Sequence, residues 1–432
     1  KESETMDLLG VLFLLFLVML FTGMPVAYAM AISATITLFF DPNLAQIVIP
    51  QKIFAAMDSF SLMAVPFFML AGSLMEISGI TRRLIDFAKG LVGHLTGGLG
   101  HTTIVTGVFM AGVSGSANAD TAALASVLVP VLKDEGYDDG YSCAMVASAG
   151  ALGPVIPPSI MMVIYAGVTS ISIGTLFMAG FIPGILIGVG YMVVNYLYAR
   201  HTGIPRSKFA GWKYLGKSFI SALPALMLPV IIVGGILSGA VTATESGVLA
   251  CVYSFFYGLV GKKITKKNLK ECFLGGISGT ANSMIIISFA VLFGMLATNY
   301  NMSKVILSIM TSFTHSGTMV LVFISLVLFV AGMFIDSTAA MLMLIPIFAP
   351  LIQQYSFDPL HFAMVCILTL DMGGLSPPVG MLIYLAANIT KTKLEKVVRH
   401  IWSFIAVNYT VTIAVIFFPI IVTLIPKLAG LL

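Results

Sequence analysis

Charge is what this sequence has least of. Only 9% of its 432 residues are Asp, Glu, Lys or Arg, against about 25% in ordinary soluble domains. Cysteine is scarce as well. Cys143, Cys251, Cys272 and Cys366 stand singly among apolar residues, which excludes a disulfide framework and reads as small buried hydrophobes. The histidines show no metal-ligand spacing. No GxxxxGK[ST] loop occurs, so ATP is not the energy source within this chain. The Asn-Pro-Ala boxes of water channels are absent, which counts against a channel. With a formal charge of +4 and basic residues falling mostly between apolar runs, nothing points to nucleic acid.

Apolar residues are abundant instead, at 59%, and mean hydropathy is +1.04. A soluble chain of this length has no interior large enough for them, so the sequence reads as an all-α polytopic membrane protein. Candidate spans lie near 8–22, 24–40, 60–76, 102–131, 141–169, 175–199, 218–239, 244–260, 275–297, 317–352, 360–390 and 401–427. Two of them, 102–131 and 317–352, carry small polar residues midway, and each is either a re-entrant helical hairpin or a plain crossing. No cleavable signal stands out, because the apolar run after Met6 continues to Phe40. The lead-in "KESET" reads as a linker remnant or the tail of a preceding fused domain.

Segments 200–217 and 261–270 are strongly basic, and the positive-inside rule places both in the cytoplasm. Between them fit the two crossings 218–239 and 244–260. Near the start of the latter, "TATE" (Thr242 to Glu245) has the capping-box pattern. Glu245 is therefore a cap or, alternatively, a group that faces substrate.

Proline punctuates two spans where a helix should run unbroken. "GPVIPPS", Gly153 to Ser159, is echoed by "GGLSPPVG", Gly373 to Gly380. An offset of 220 sets Pro157 on Pro377, Pro130 on Pro350, Asp138 on Asp358 and Gly153 on Gly373. Upstream, Asp120 pairs with Asp336 only at an offset of 216, which asks for a four-residue gap in the hairpin. Uncharged "SISIG" follows the first break, whereas Lys391, Lys393, Lys396 and Arg399 follow the second. Equivalent points then lie on opposite faces, an inverted-topology repeat of the kind secondary transporters use.

Proline lacks an N–H, so the carbonyl four residues earlier loses its helical partner. The breaks are expected to free the carbonyls of Gly153, Pro154, Gly373 and Gly374. Such a break survives in hydrocarbon only where it lines a buried polar site, and freed carbonyls suit a small hard cation. The hairpin tips add Ser114, Ser116, Asn118 and Asp120 in one half and Asp336, Ser337 and Thr338 in the other. Small residues at a tip also serve close helix packing, but an intramembrane acid beside each tip favours function. Two such aspartates admit a protease dyad, yet neither sits in a Gly-x-Gly-Asp stretch.

In this order "GSANAD", "GPVIPPS", "TATES" and "GGLSPPVG" resemble the large (M) membrane subunit of TRAP (tripartite ATP-independent periplasmic) transporters, closest to its sialic acid branch. The likeness runs from Met6 to the C-terminus. It implies an elevator fold: scaffold helices over 1–98, a hairpin plus broken helix over 99–172, scaffold and arm helices over 173–315, a second hairpin plus broken helix over 316–392, and a last scaffold helix over 393–432. It implies a sodium-coupled importer of a small organic acid in the bacterial inner membrane, not an enzyme, with Na+ as coupling ion and no cofactor. A soluble periplasmic binding protein would deliver the substrate, and a small membrane (Q) subunit would complete the complex; the lead-in would fit a fusion to it or an expression remnant. Sodium ligands carry over to Ser114, Ser116, Asn118, Gly153, Val155, Pro157, Asp336, Thr338, Gly373, Gly374 and Ser376. Substrate contact or gating falls to Asp120, Ser159, Glu245 and Ser337. The alternative is a stand-alone sodium/divalent-anion symporter.

Overall fold

The computed structural model describes residues 2–60, 62–314 and 316–432. Lys1, Ser61 and His315, which fall in the lead-in, the third candidate span and the end of segment 173–315, lie outside the described residues. The described chain is helical throughout, with one isolated bridge between Thr96 and Arg206. The helices are α1 (Glu2–Phe21), α2 (Val26–Phe39), α3 (Val48–Met57), α4 (Ala64–Ile77), α5 (Ile80–Val92), α6 (Gly98–Ser114) and α7 (Ala117–Asp134). Next come α8 (Asp139–Gly150), α9 (Ile160–Thr169), α10 (Ile173–Thr202), α11 (Trp212–Leu237), α12 (Ala243–Val260), α13 (Lys266–Asn299) and α14 (Met302–Phe313). The chain ends with α15 (Gly317–Phe334), α16 (Ser337–Gln354), α17 (Pro359–Leu375), α18 (Met381–Thr390), α19 (Leu394–Phe417) and α20 (Ile420–Leu428). Among the described residues seven helices are long and apolar enough to cross a bilayer, or eight if α4 and α5, bent by 72°, form one span.

The four interruptions fall where small polar residues and proline stand in the sequence. α6 gives way to α7 at Gly115–Ser116, and α15 to α16 at Ile335–Asp336. α8 stops before the proline pair and resumes as α9, while α17 stops before the second pair and resumes as α18. Both Pro–Pro bonds are cis.

Helix boundaries recur along the chain. α7 spans 117–134 and α16 spans 337–354, an offset of 220 at both ends. Asp138 and Asp358 cap α8 and α17 alike: each Oδ1 accepts two backbone N–H groups, at 2.8 and 3.1 Å. The cap residue of α7 is Ser116 and that of α16 is Asp336, again 220 apart. The four-residue gap is therefore not needed. The residue opposite Asp336 is Ser116, because serine and aspartate are interchangeable at an N-cap, and matching acid to acid misplaced the tip.

At the centre lie the first halves of the two broken helices. Every residue of α8 from Gly140 to Gly150, and of α17 from Leu360 to Leu375, is buried. Small residues make that possible. A Cβ on Gly107 of α6 would stand 2.7 Å from the Ala149 carbonyl of α8, and one on Gly373 of α17 would stand 2.7 Å from the Gly332 Cα of α15. Buried polar contacts fasten α19 to α10 and to α17: Tyr191 Oη donates to Asn408 Oδ1 at 2.7 Å, and His361 Nε2 lies 2.8 Å from the Val415 carbonyl.

Three helices escaped the apolar-run reading. α3, α5 and α14 are short, and α5 is amphipathic: it buries Ile80, Leu84, Phe87 and Ala88 while Arg82, Asp86 and Lys89 face out. The candidate span 401–427 is also two helices, α19 and α20, separated at Phe418–Pro419.

Candidate functional site

Each tip is fastened to a break. Gly115 holds a left-handed φ of +63°, open to glycine at little cost, and its carbonyl accepts Ile160 N at 3.3 Å. A Cβ on Gly153 would stand 2.9 Å from Ala117 N and from Ser116 C, so glycine lets the end of α8 touch the start of α7. In the second half Ser337 Oγ donates to the Leu370 carbonyl at 2.9 Å, and a Cβ on Gly374 would meet that Oγ at 3.2 Å.

Between the two tip-and-break units opens a cavity of about 650 Å³. Ser116 and Asn118 face it from α7 and its cap; Asp336, Ser337 and Thr338 face it from the second tip. Ile160 and Met381, the first residues of α9 and α18, also line it, so four helices (α7, α9, α16 and α18) begin at this cavity. A helix start presents unpaired N–H groups and about half a positive charge, a setting for carboxylate. Asp336 spends part of that: its Oδ1 accepts Thr338 N at 3.0 Å and Ala339 N at 3.2 Å, while Oδ2 takes neither. Among the described residues no Lys, Arg or His lines the cavity.

Six of the expected site residues (Ser116, Asn118, Asp336, Ser337, Thr338, Gly374) thus line one cavity. The others do not. Ser114 and Asp120 face a separate cavity behind the first hairpin. Gly153, Val155, Pro157, Ser159, Gly373 and Ser376 are buried in the packing behind the cavity wall. The Val155 carbonyl oxygen comes within 2.3 Å of where a Cβ on Gly180 would stand, so it faces α10; the oxygen at the tip is that of Pro158, 2.4 Å from a Cβ built on Gly115.

The expectation that the prolines leave four carbonyls unpaired needs correction at two of them. The Gly373 carbonyl accepts Ser376 N at 2.9 Å, and the Pro154 carbonyl accepts Ser159 Oγ at 2.7 Å. At each break a serine re-satisfies one of the two carbonyls that proline releases, as neighbours do in membrane helices. Ser376 Oγ in turn donates to the Met372 carbonyl at 2.9 Å, and Ser159 caps α9 by accepting Met162 N at 3.2 Å. Glu245 forms the expected cap: its Oε2 accepts Thr242 N at 2.7 Å and Thr242 Oγ1 at 2.9 Å, it is exposed, and it lies outside the cavity wall.

Asp371, Asn282 and Ser283 line the cavity and were not anticipated. Asp371 is 5% exposed and stands on α17 three residues before Gly374. Its signal in the sequence was plain, an acid inside an apolar run. Asn282 and Ser283 lie mid-way along α13, where nothing but the fold brings them to the tips.

Residues 13–421 match the family of the tripartite ATP-independent periplasmic transporter, DctM component. The chain is 34% identical over 418 residues to the sialic acid TRAP transporter permease protein SiaT of Haemophilus influenzae, covering 96% of this chain and 68% of that protein. It is 32% identical to the 2,3-diketo-L-gulonate TRAP transporter large permease protein YiaN of Escherichia coli, covering 92% and 94%. To the C4-dicarboxylate TRAP transporter large permease protein DctM of Rhodobacter capsulatus it is 31% identical, covering 98% and 99%. These relatives are transporter permeases, not enzymes. Among solved structures, Neisseria gonorrhoeae MtrF superposes with a TM-score of 0.59 at 15% identity over 86% of this chain and 83% of that one. Alcanivorax borkumensis YdaH gives 0.56 at 11% over 82% and 85%. At such identity the likeness is one of fold.

Proposed function

We propose a function from one premise: the chain belongs to the DctM component family of tripartite ATP-independent periplasmic transporters. It is a multi-pass permease. Our reading is that it imports a small organic acid, of the sialic acid or C4-dicarboxylate type, coupled to sodium. The observation that carries this is the charge inventory of the central cavity. Asp336 and Asp371 face it, helix starts invite a carboxylate into it, and among the described residues no basic side chain lines it to offset either acid. An anionic substrate would raise the buried negative charge further, at a cost of several kcal/mol per uncompensated ion. Cations entering with the substrate remove that cost, and binding of each then favours the other.

The offset of 220 between helix boundaries supports an inverted repeat, with segments 99–172 and 316–392 moving as one block against the remaining helices. Basic loops 200–217, 261–270 and 391–399 face the cytoplasm of a bacterial inner membrane. A small membrane subunit and a periplasmic binding protein complete the transporter.

Uptake of labelled sialic acid and C4-dicarboxylates into proteoliposomes tests this, with sodium, the small subunit and the binding protein each withheld in turn. Accumulation should require all three. Uptake indifferent to sodium overturns the coupling, and robust uptake by this chain alone favours the stand-alone symporter.

A further inference from the structure

Behind the first hairpin, on the side away from the central cavity, α4, α5, α6 and α7 enclose a second, much smaller space. Asp120 forms its floor and is wholly buried. Ser114 Oγ donates to Asp120 Oδ1 at 2.7 Å, but Oδ2, equally buried, has no partner. Glu76 of α4 stands exposed at the rim, and Thr81 of α5 adds a hydroxyl to the wall. The rest of the wall is apolar, and among the described residues no Lys, Arg or His belongs to it. A free volume of about 20 Å³ exceeds the roughly 10–15 Å³ that one water-sized occupant needs.

We propose that this space is a monovalent-cation site, held by Asp120 and Glu76 with Thr81 and Ser114 as neutral oxygens, and distinct from the central cavity. Four residues with side-chain oxygens, two of them carboxylates, line a space for one small occupant. Such a set suits a hard cation, and a cation supplies the buried Oδ2 with the contact that the protein does not. No group of three or more His, Cys, Asp or Glu that could hold a metal ion is found among the described residues, which gives a chelated transition metal no basis.

The site is wired to the central cavity. Ser114 Oγ donates to Asp120 and accepts Ser116 N at 3.1 Å, and Ser116 both caps α7 and lines the central cavity. A cation on Asp120 therefore acts on the hydrogen bond that shapes the first tip. It also bridges two elements, since Glu76 and Thr81 belong to α4 and α5 while Asp120 belongs to the hairpin. A Cβ on Gly72 of α4 would meet Ser114 at 3.5 Å, so the two elements touch at the tip. Any motion of the hairpin against α4 opens the site, and occupancy then differs between the two positions. A ligand with such a difference biases their equilibrium.

The test is sodium binding without substrate. Purified transporter, assembled with its small subunit, is titrated with NaCl against choline chloride at constant ionic strength, following thermal stability and heat of binding. The wild type is compared with Glu76→Gln, Asp120→Asn and Asp371→Asn. Loss of one carboxylate ligand should weaken one sodium-binding component about tenfold. Glu76→Gln changes an exposed residue and keeps the test alive if Asp120→Asn does not fold. Asp371→Asn should affect a different component, so failure of the central-cavity reading shows separately. Unchanged sodium titrations in both Glu76→Gln and Asp120→Asn overturn the proposal. So does a result in which those variants lose only pH dependence, because the occupant is then a proton.

Discussion

At the tip of the first hairpin the residue that caps the following helix is Ser116; at the same place in the second half it is Asp336. One turn into that helix the first half carries Asp120, where the second has Ala340. Near the end of the broken helix the second half carries Asp371, where the first has Ala151. The two units share boundaries and aspartate caps at 138 and 358, yet they allot charge in opposite ways. Among the described residues, all the formal charge on the central cavity comes from the second half, whereas the first turns its acid to the back of the hairpin. The two units share the features that set backbone direction and differ in those that set electrostatics.

The sharpest way to break this comparison is to give the second tip the first tip's cap. Asp336→Ser keeps an N-cap, so stability should change by no more than about 1 kcal/mol. It removes a carboxylate from a cavity with no basic residue, and uptake should fall by about 100-fold, the loss expected of a charged ligand. Asp371→Asn should do the same and weaken activation by sodium. Sodium-dependent uptake rates, set beside melting temperatures, decide between cap and charge. If Asp336→Ser transports normally, the acid is a cap and nothing more.

The glycines at the breaks give a second contrast, of intermediate size. Alanine at Gly153 puts a Cβ 2.9 Å from two backbone atoms of the first tip, which cannot move alone. The tip must shift, at a cost of about 1–3 kcal/mol. Alanine at Gly374 meets only the Ser337 hydroxyl, at 3.2 Å, and the hydroxyl can swing away. The loss there is its bond to the Leu370 carbonyl, about 1 kcal/mol. Gly153→Ala should therefore be the more damaging of the pair in both melting temperature and uptake. Equal effects would mean that the two breaks are packed alike.

Much of this arrangement was legible without coordinates. Proline pairs and small polar residues located all four interruptions, because few other residues can end a buried helix. Asp138 and Asp358 carried the repeat because a cap is a local feature written in one residue. What stayed hidden was rotational and tertiary. Nothing in the run around Asp371 says which side of α17 it occupies, and Asn282 reaches the cavity only because α13 passes the tips. The register of the first tip was misread for a related reason: residue type was matched where structural role was shared. Amphipathic α5 was passed over because its 13 residues include four charged ones (Arg82, Arg83, Asp86, Lys89) and the polar Thr81, too many for an apolar run.

The smallest effect should come from Glu245, an acid that the sequence alone left open to a transport role. Its carboxylate accepts the backbone N–H and the hydroxyl of Thr242, and Thr242 Oγ1 accepts Glu245 N at 3.3 Å, closing a reciprocal cap on α12. The group is exposed and lies outside the cavity wall. Glutamine keeps an acceptor oxygen in the same place and serves in the same box. Glu245→Gln should leave uptake and its sodium dependence unchanged. Glu245→Ala should lower the melting temperature slightly, with uptake per folded molecule unaltered. A loss of sodium-driven uptake in Glu245→Gln would move negative charge outside the second half into the transport path, and the contrast between the halves would no longer account for where function lies.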